Sequence, residues 1–246
     1  MRHLLKVTIF GLISGLIGTS IGGALAFFVK GINKRFIGLI LEFSAGLMTS
    51  VVCFELLPEA FRIGGLFITV CGVITGTIII IIIENIIANT EIIKRNRSGS
   101  SLLKTGILTS ISIALHNFPE GFAVGSSFQA SAALGFTLTA VIIIHDVPEG
   151  IAMAVPMRAG GLSRLKAFLL TAASGIPMGI GAFFGALLGE ISEEFITACL
   201  GFAGGAMLYV VYGQMVPESK RLYRGRLPSI GNIVGIVCGV IVSMYN

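Results

Sequence analysis

The most constraining feature of this sequence is a succession of apolar runs, each close to the roughly 20 residues a helix needs to cross the hydrocarbon core of a bilayer. Eight runs stand out: 7–29, 37–57, 66–88, 102–128, 131–156, 165–189, 196–217 and 229–245. The third is the clearest, with isoleucine at every position from 78 to 83. The breaks hold turn formers and charge, as in Lys30-Gly-Ile-Asn-Lys-Arg, Arg62-Ile-Gly-Gly and Lys94-Arg-Asn-Arg-Ser-Gly-Ser-Ser. The least sharp boundary is the hinge near Ala130, between the fourth and fifth runs. Only 12% of residues are charged and mean hydropathy is +0.96, whereas a soluble domain carries about 25% charged residues. The reading is an all-α membrane protein: one domain over 1–246 with eight transmembrane helices and lipid as its main surroundings.

The net charge of +5 does not point to nucleic acid, because the basic residues sit in short loops between apolar runs. Cys53, Cys71, Cys199 and Cys238 all fall inside such runs without a Cys-x-x-Cys, and so read as small buried hydrophobes. Arg2 and Lys6 before the first run resemble a signal peptide. That run is long and has no small-residue cleavage site before Lys30, which makes it a retained first helix.

Basic residues set orientation, since cytoplasmic loops carry the excess of Lys and Arg. With the N-terminus outside, 14 of the 17 fall inside: Lys30, Lys34, Arg35, Lys94, Arg95, Arg97, Lys104, Arg158, Arg164, Lys166, Lys220, Arg221, Arg224 and Arg226. Arg2, Lys6 and Arg62 stay outside, with the acidic stretch Glu190, Glu193 and Glu194. Adding or losing one span scrambles this division, so both termini are expected outside.

The chain also repeats itself. Phe43-Ser-Ala-Gly-Leu-Met leads to Leu57-Pro-Glu-Ala, and Phe202-Ala-Gly-Gly-Ala-Met leads to Val216-Pro-Glu-Ser at the same spacing. Ser14-Gly-Leu recurs as Ser174-Gly-Ile, and Val70-Cys-Gly-Val-Ile as Val237-Cys-Gly-Val-Ile. Spans 1–3 thus echo spans 6–8 and enter the membrane from opposite sides. Inverted repeats are a transporter architecture with the substrate near the midplane.

The two helices between the repeats hold the chemistry, in His116-Asn-Phe-Pro-Glu-Gly and His145-Asp-Val-Pro-Glu-Gly. His116 and Glu120 are i and i+4, Asn117 and Glu120 i and i+3, so each set shares a helix face; His145, Asp146 and Glu149 repeat the spacing. Pro119 and Pro148 each remove a backbone hydrogen bond, freeing the carbonyls of Leu115 and Ile144 and predicting a kink. An ionised carboxylate at the bilayer centre costs about 2.5–3.5 kcal/mol on the insertion scale. Three of them with two imidazoles need a compensating charge, which a divalent cation supplies. Imidazole nitrogen with carboxylate oxygen suits zinc, iron, manganese or cobalt, and the lack of thiolates argues against a closed structural zinc site.

At these residues the sequence resembles the ZIP (Zrt/Irt-like protein) family of divalent metal transporters, in its bacterial GufA-like branch. The likeness covers nearly the whole chain. It implies a binuclear site: His116, Glu120, His145 and Glu149 for the first metal with Met48 beside it, and Asn117 and Asp146 for the second, with Glu120 and Glu149 bridging. It implies zinc as first cargo, with iron, manganese, cobalt and cadmium as alternatives, moved into the cytoplasm across a bacterial cell membrane. It also implies an elevator-like motion of the middle helices, and a homodimer as a family expectation. The metal is cargo rather than a resident cofactor. Three departures stand out. Met178 takes the place of a sixth-helix glutamate after Ser174-Gly, a ligand of the second metal. Gly213-Gln214 replaces a glutamate pair, leaving Glu218 as the only acid there, whereas Glu55, the repeat partner of Gln214, is retained. The loop 89–101 has no histidine.

Met48, Glu55, Met178, Gln214 and Glu218 are therefore the further candidate ligand or path residues. Two other classes compete: a metal-binding membrane sensor without flux, and an intramembrane metal-dependent hydrolase. The second is disfavoured because neither motif offers a base separate from the ligands. No phosphate-binding Gly-x-x-x-x-Gly-Lys-[Ser/Thr] is present, which argues against ATP-driven pumping.

Overall fold

A single helix from Lys34 to Ile86, 53 residues, would be about 80 Å long at 1.5 Å per residue, far more than the roughly 30 Å of a hydrocarbon core. The backbone solves this at Gly65, whose φ of 75° lies in the left-handed region and breaks the helix. The computed structural model describes residues 2–28, 33–88 and 101–244. Among them the chain is all-helical: α1 (Arg2–Leu25), α2 (Lys34–Val51), a π turn π1 (Val52–Leu56), α3 (Leu57–Ala88, broken at Gly65), α4 (Ser101–Ala130) and α5 (Ala132–Ala159). There follow α6 (Arg164–Ala173), α7 (Ile176–Gly189), α8 (Glu193–Val210), a second π turn π2 (Val211–Met215), α9 (Val216–Leu222) and α10 (Leu227–Met244). Five helical stretches among the described residues are long and apolar enough to cross a membrane.

Local chemistry explains the boundaries. The hinge between the fourth and fifth runs falls at Ser131, which is extended (φ −161°, ψ 149°) and caps α5 by accepting from the Leu134 N–H at 3.1 Å. Both π turns stand just before a Pro-Glu pair, at Pro58 and Pro217. Proline cannot donate to the carbonyl one turn back and its ring crowds it; the wider turn absorbs the misfit, with the N–H of Leu57 and of Val216 reaching back to the carbonyls of Val52 and Val211. Pro119 and Pro148 lie inside helices that run on unbroken through them.

The helices pack as two groups. In one, α1 lies against α5, α6 and α7, and α4 against α5 and α7; in the other, α3 lies along α8, and α2 along α10 and α9. Gly76 of α3 seats on the Phe202 carbonyl of α8, and Gly235 of α10 seats on the Phe43 carbonyl of α2. The separation in sequence that divides Gly76 from Gly235 also divides Phe43 from Phe202 and π1 from π2. The Val-Cys-Gly-Val-Ile echoes at Val70 and Val237 fall about two helical turns out of that packing register. The groups meet mainly where α4 faces α8 and α2 faces α5. An apolar layer that includes Met48, Val52, Phe122, Ile142, Leu200 and Met207 is buried there, and the rings of Phe122 and Phe202 lie 5.1 Å apart.

The surface is inverted relative to a soluble protein. Ile9, Ile13 and Ile17 of α1, Ile74, Ile78 and Ile82 of α3, and Ile233, Val237 and Ile241 of α10 are exposed, while Asn117, Glu120, His145, Asp146 and Glu149 are buried. Apolar matter outward and ionisable groups inward is the arrangement lipid demands. The protein is integral to a membrane. The cysteines depart from expectation: of the four only Cys199 is buried, and Cys53 and Cys71 face outward. A thiol is apolar enough for lipid, so burial in protein is not required of it.

Candidate metal centre

The site is built where α4 and α5 cross. Glu120 and His145 come from adjacent antiparallel helices, and Oε1 of the carboxylate lies 2.7 Å from Nε2 of the imidazole. The same nitrogen is 3.5 Å from Oδ1 of Asp146. One donor atom from each of these three residues lies within 4.8 Å of the others, and all three are buried. Two ligand atoms each about 2.1 Å from zinc can be no more than about 4.2 Å apart. In a tetrahedral site the ligand atoms stand about 3.4 Å apart, so side-chain movements on the order of 1 Å bring the set onto one ion.

The other motif residues surround this cluster. Glu149 is fully buried one turn beyond His145 on α5. Asn117 is fully buried on α4, and its Nδ2 donates to the Ser174 carbonyl at 2.7 Å, in the turn between α6 and α7. His116 belongs to α4, but its side chain lies outside the described residues, as does the loop 89–100 in which histidines are lacking. The two ligand sets implied by the family resemblance share Glu120 and Glu149, one from each of the crossing helices.

Close approach of backbones makes the crossing tight enough for short side chains to converge. A Cβ at Gly18 of α1 would fall on the Cβ of Asp146, and one at Gly121 would fall on the Met178 carbonyl of α7. Only glycine admits α1 and α7 at those positions.

The further candidates are scattered. Met178 is fully buried, with its sulfur accepting from the Ser14 hydroxyl at 3.3 Å; it stands between α1 and α4, beside the site rather than away from it. Met48 is fully buried in the layer between the two groups, one turn beyond Ser44. Glu55 accepts from Ser243 at 2.6 Å and lines a separate cavity of about 270 Å³ with Glu59, Arg62, Ser131 and Thr137. Gln214 is half-buried in π2, and Glu218 pairs with Arg221 at 2.7 Å in α9. Glu55 and Glu218 thus have partners of their own, apart from the Glu120–His145 cluster.

Two residues near the centre stand inside the repeat words at Phe43 and Ser174 but are not among the expected site residues. Ser44 of α2 donates to the His145 carbonyl at 3.1 Å, and Ser174 both presents its carbonyl to Asn117 and bonds the Met153 sulfur at 3.4 Å. The repeat words mark their positions, but not the bonds they make.

These features match known sequences. The profile of a family described as ZIP zinc transporter matches residues 88–245. The chain belongs to the ZIP family. Curated ZIP-family relatives include the zinc transporter ZupT of Streptococcus mutans, 32% identical over 253 residues and 96% of each chain. The zinc transporter ZupT of Clostridium perfringens is 32% identical over 270 residues, covering 96% of this chain and 94% of the relative. The zinc transporter GufA of Myxococcus xanthus is 35% identical over 175 residues, 70% of this chain and 69% of the relative. ZIP-family membership thus rests on nearly the whole length of the chain and not on the two Pro-Glu-Gly motifs alone.

Proposed function

We propose that this chain carries divalent transition-metal cations, zinc first, across a bacterial cytoplasmic membrane and into the cytoplasm. It is a carrier rather than an enzyme. The observation that supports this best is the buried convergence of Glu120, His145 and Asp146 between two helices of a molecule whose outer surface is apolar. The names of the relatives, all zinc transporters, point the same way. The ligand set is His116, Glu120, His145 and Glu149 for a first metal and Asn117, Asp146 and the shared glutamates for a second. Met178 offers a thioether where an acid would bind the second ion more firmly, so the second position is the weaker.

Eight spans follow if the break at Gly65 divides the long second stretch and if α6–α7 and α8–π2–α9 each count once. The exchange of partners between Gly76 and Gly235, and the matching of π1 with π2, support an inverted repeat of spans 1–3 and 6–8. Such repeats support alternating access, in which the group holding the site (α1, α4, α5, α6, α7) shifts against the other. Both termini are then outside, the cavity at Glu55 opens at the outer end, and Glu218 lies toward the inner end. Glu55 serves as a collecting acid on the path: Glu55→Gln is expected to raise the KM for zinc about three- to tenfold with little change in maximal rate, as for a charge that steers rather than binds.

The purified protein in liposomes should take up radiolabelled zinc, with iron, manganese, cobalt and cadmium as competitors and with or without a proton gradient. Bound metal without protein-dependent flux at any pH would make the protein a membrane metal sensor instead.

A further inference from the structure

The hydrogen bonds that tie helix to helix largely follow the same division into two groups as the packing. Within the group that holds the site, α4 is tied to the α6–α7 turn by Asn117 to Ser174 and to α7 by Gln129 to Ala186, that turn to α5 by Ser174 to Met153, and α1 to α7 by Ser14 to Met178. Within the other, α8 is tied to α3 by Tyr209 to Glu84, α9 to α2 by Ser219 to Gly38, α10 to α2 by Asn232 to Glu42, and α10 to π1 by Ser243 to Glu55. Two polar contacts cross from one group to the other: the Ser126 hydroxyl of α4 meets the Cys199 thiol of α8, a weak partner, and the Ser44 hydroxyl of α2 donates to the carbonyl of His145 at 3.1 Å, the stronger bond and the one that ends at the site.

We propose that Ser44 is a positioning residue that latches the site-bearing group to the rest of the molecule in this arrangement. The latch rests on the alternating-access reading and deepens it. The seam around the bond is largely apolar, with Phe122 against Phe202 and Met48, Ile142 and Met207 buried near them. Apolar contacts are non-directional and can be exchanged for equivalent ones when one face slides over another. A hydroxyl-to-carbonyl bond is directional and weakens steeply once its distance and angle are lost. Ser44 is fully buried, so in this arrangement its hydroxyl is held by protein and not by water. The bond ends on the main chain of a residue whose imidazole belongs to the ligand cluster. The latch therefore reports on the site-bearing helix itself and not on a distant loop.

The bond biases the equilibrium between positions without adding a ligand. One buried hydrogen bond, net of its replacement, shifts a two-state ratio by roughly three- to tenfold. Ser44→Ala removes the donor and should move the ratio by that factor away from the present arrangement. Ser44→Thr keeps the donor and should return it to within about twofold of the wild type on the same reasoning. In membranes, the ratio can be read from the distance distribution between spin labels at Leu66→Cys and Ala132→Cys, both exposed positions on opposite groups, with the four native cysteines replaced. The same variants in liposomes should show a change in both KM and maximal rate for zinc in Ser44→Ala, and near wild-type values in Ser44→Thr. A wild type that takes up zinc and shows two label distances, whose ratio Ser44→Ala leaves unchanged, would overturn the latch alone. A wild type with one distance under every zinc condition would overturn alternating access, and the latch with it.

Discussion

Replacing Glu120 by alanine is expected to lower zinc uptake into liposomes at least about a hundredfold, because loss of a residue that merely supports a metal ligand already costs about ten- to a hundredfold. Glu120 is the carboxylate against which His145 rests at 2.7 Å, and both proposed metal positions draw on it. No other carboxylate of α4 can take over, since Glu120 is the sole acid among residues 101–130. The expected loss is one of function rather than of fold. Deleting a buried carboxylate relieves an insertion cost of about 2.5–3.5 kcal/mol, while leaving the imidazole of His145 short of one partner costs about 1–3 kcal/mol. These two nearly offset, so the variant should elute as a folded membrane protein in the same yield. The check is uptake normalised to folded protein, with bound zinc measured by elemental analysis on the same sample. Uptake at the wild-type level would remove Glu120 from the ligand set. Loss of uptake with full metal binding would move it from binding to the path.

Much of this is legible in the amino-acid sequence, and the reasons differ by feature. The motifs at His116 and His145 stand out because ionisable groups inside apolar runs are costly and so rarely accidental. Helix spacing then places Glu120 and Glu149 on the faces of their own motifs. Spacing does not say which atoms meet across helices: Asp146 lies within reach of His145 and Glu120 at once, a fact set by the crossing of α4 and α5. Proline at 119 and 148 predicts a kink rather than a break, and both helices do continue through it. The same residue type at 58 and 217 does change the helix, through the π turns before it. The third-span echo is legible as a word match but lies out of the packing register, since Gly76 and Gly235, not the Val-Cys-Gly-Val-Ile segments, carry the matching contacts. Ser44 stands in the repeat word at Phe43, but its contact is not legible there because it is a bond to a main-chain carbonyl, which no side-chain pattern at His145 encodes.

The second large effect concerns a residue with no chemistry of its own. Gly121→Ala is expected to destabilise the protein by about 3 kcal/mol, since overpacking against a site that cannot yield costs about 1–3 kcal/mol or more. The obstacle is main chain: the new Cβ would fall on the Met178 carbonyl, with the rest of that peptide at 2.6–2.7 Å. A flexible side chain could swing aside, but this carbonyl belongs to α7, which is also held to α4 on either side of the contact by Asn117 to Ser174 and Gln129 to Ala186. For a chain of this size such a loss lowers Tm by roughly 6–12 °C. Gly213→Ala is the comparison, because its Cβ would meet only the ring of Tyr209, at 3.1 Å, in an exposed stretch of π2; its Tm should stay within about 3 °C of the wild type. Glu120 immediately precedes Gly121, so pushing α4 off α7 also moves the carboxylate relative to His145. Zinc binding should therefore weaken in Gly121→Ala even at temperatures where the variant is folded, whereas Gly213→Ala should bind normally. Equal melting temperatures for the two variants would mean that α4 and α7 do not touch at this register, and the convergence of Glu120 on His145 would then need a different packing to hold it.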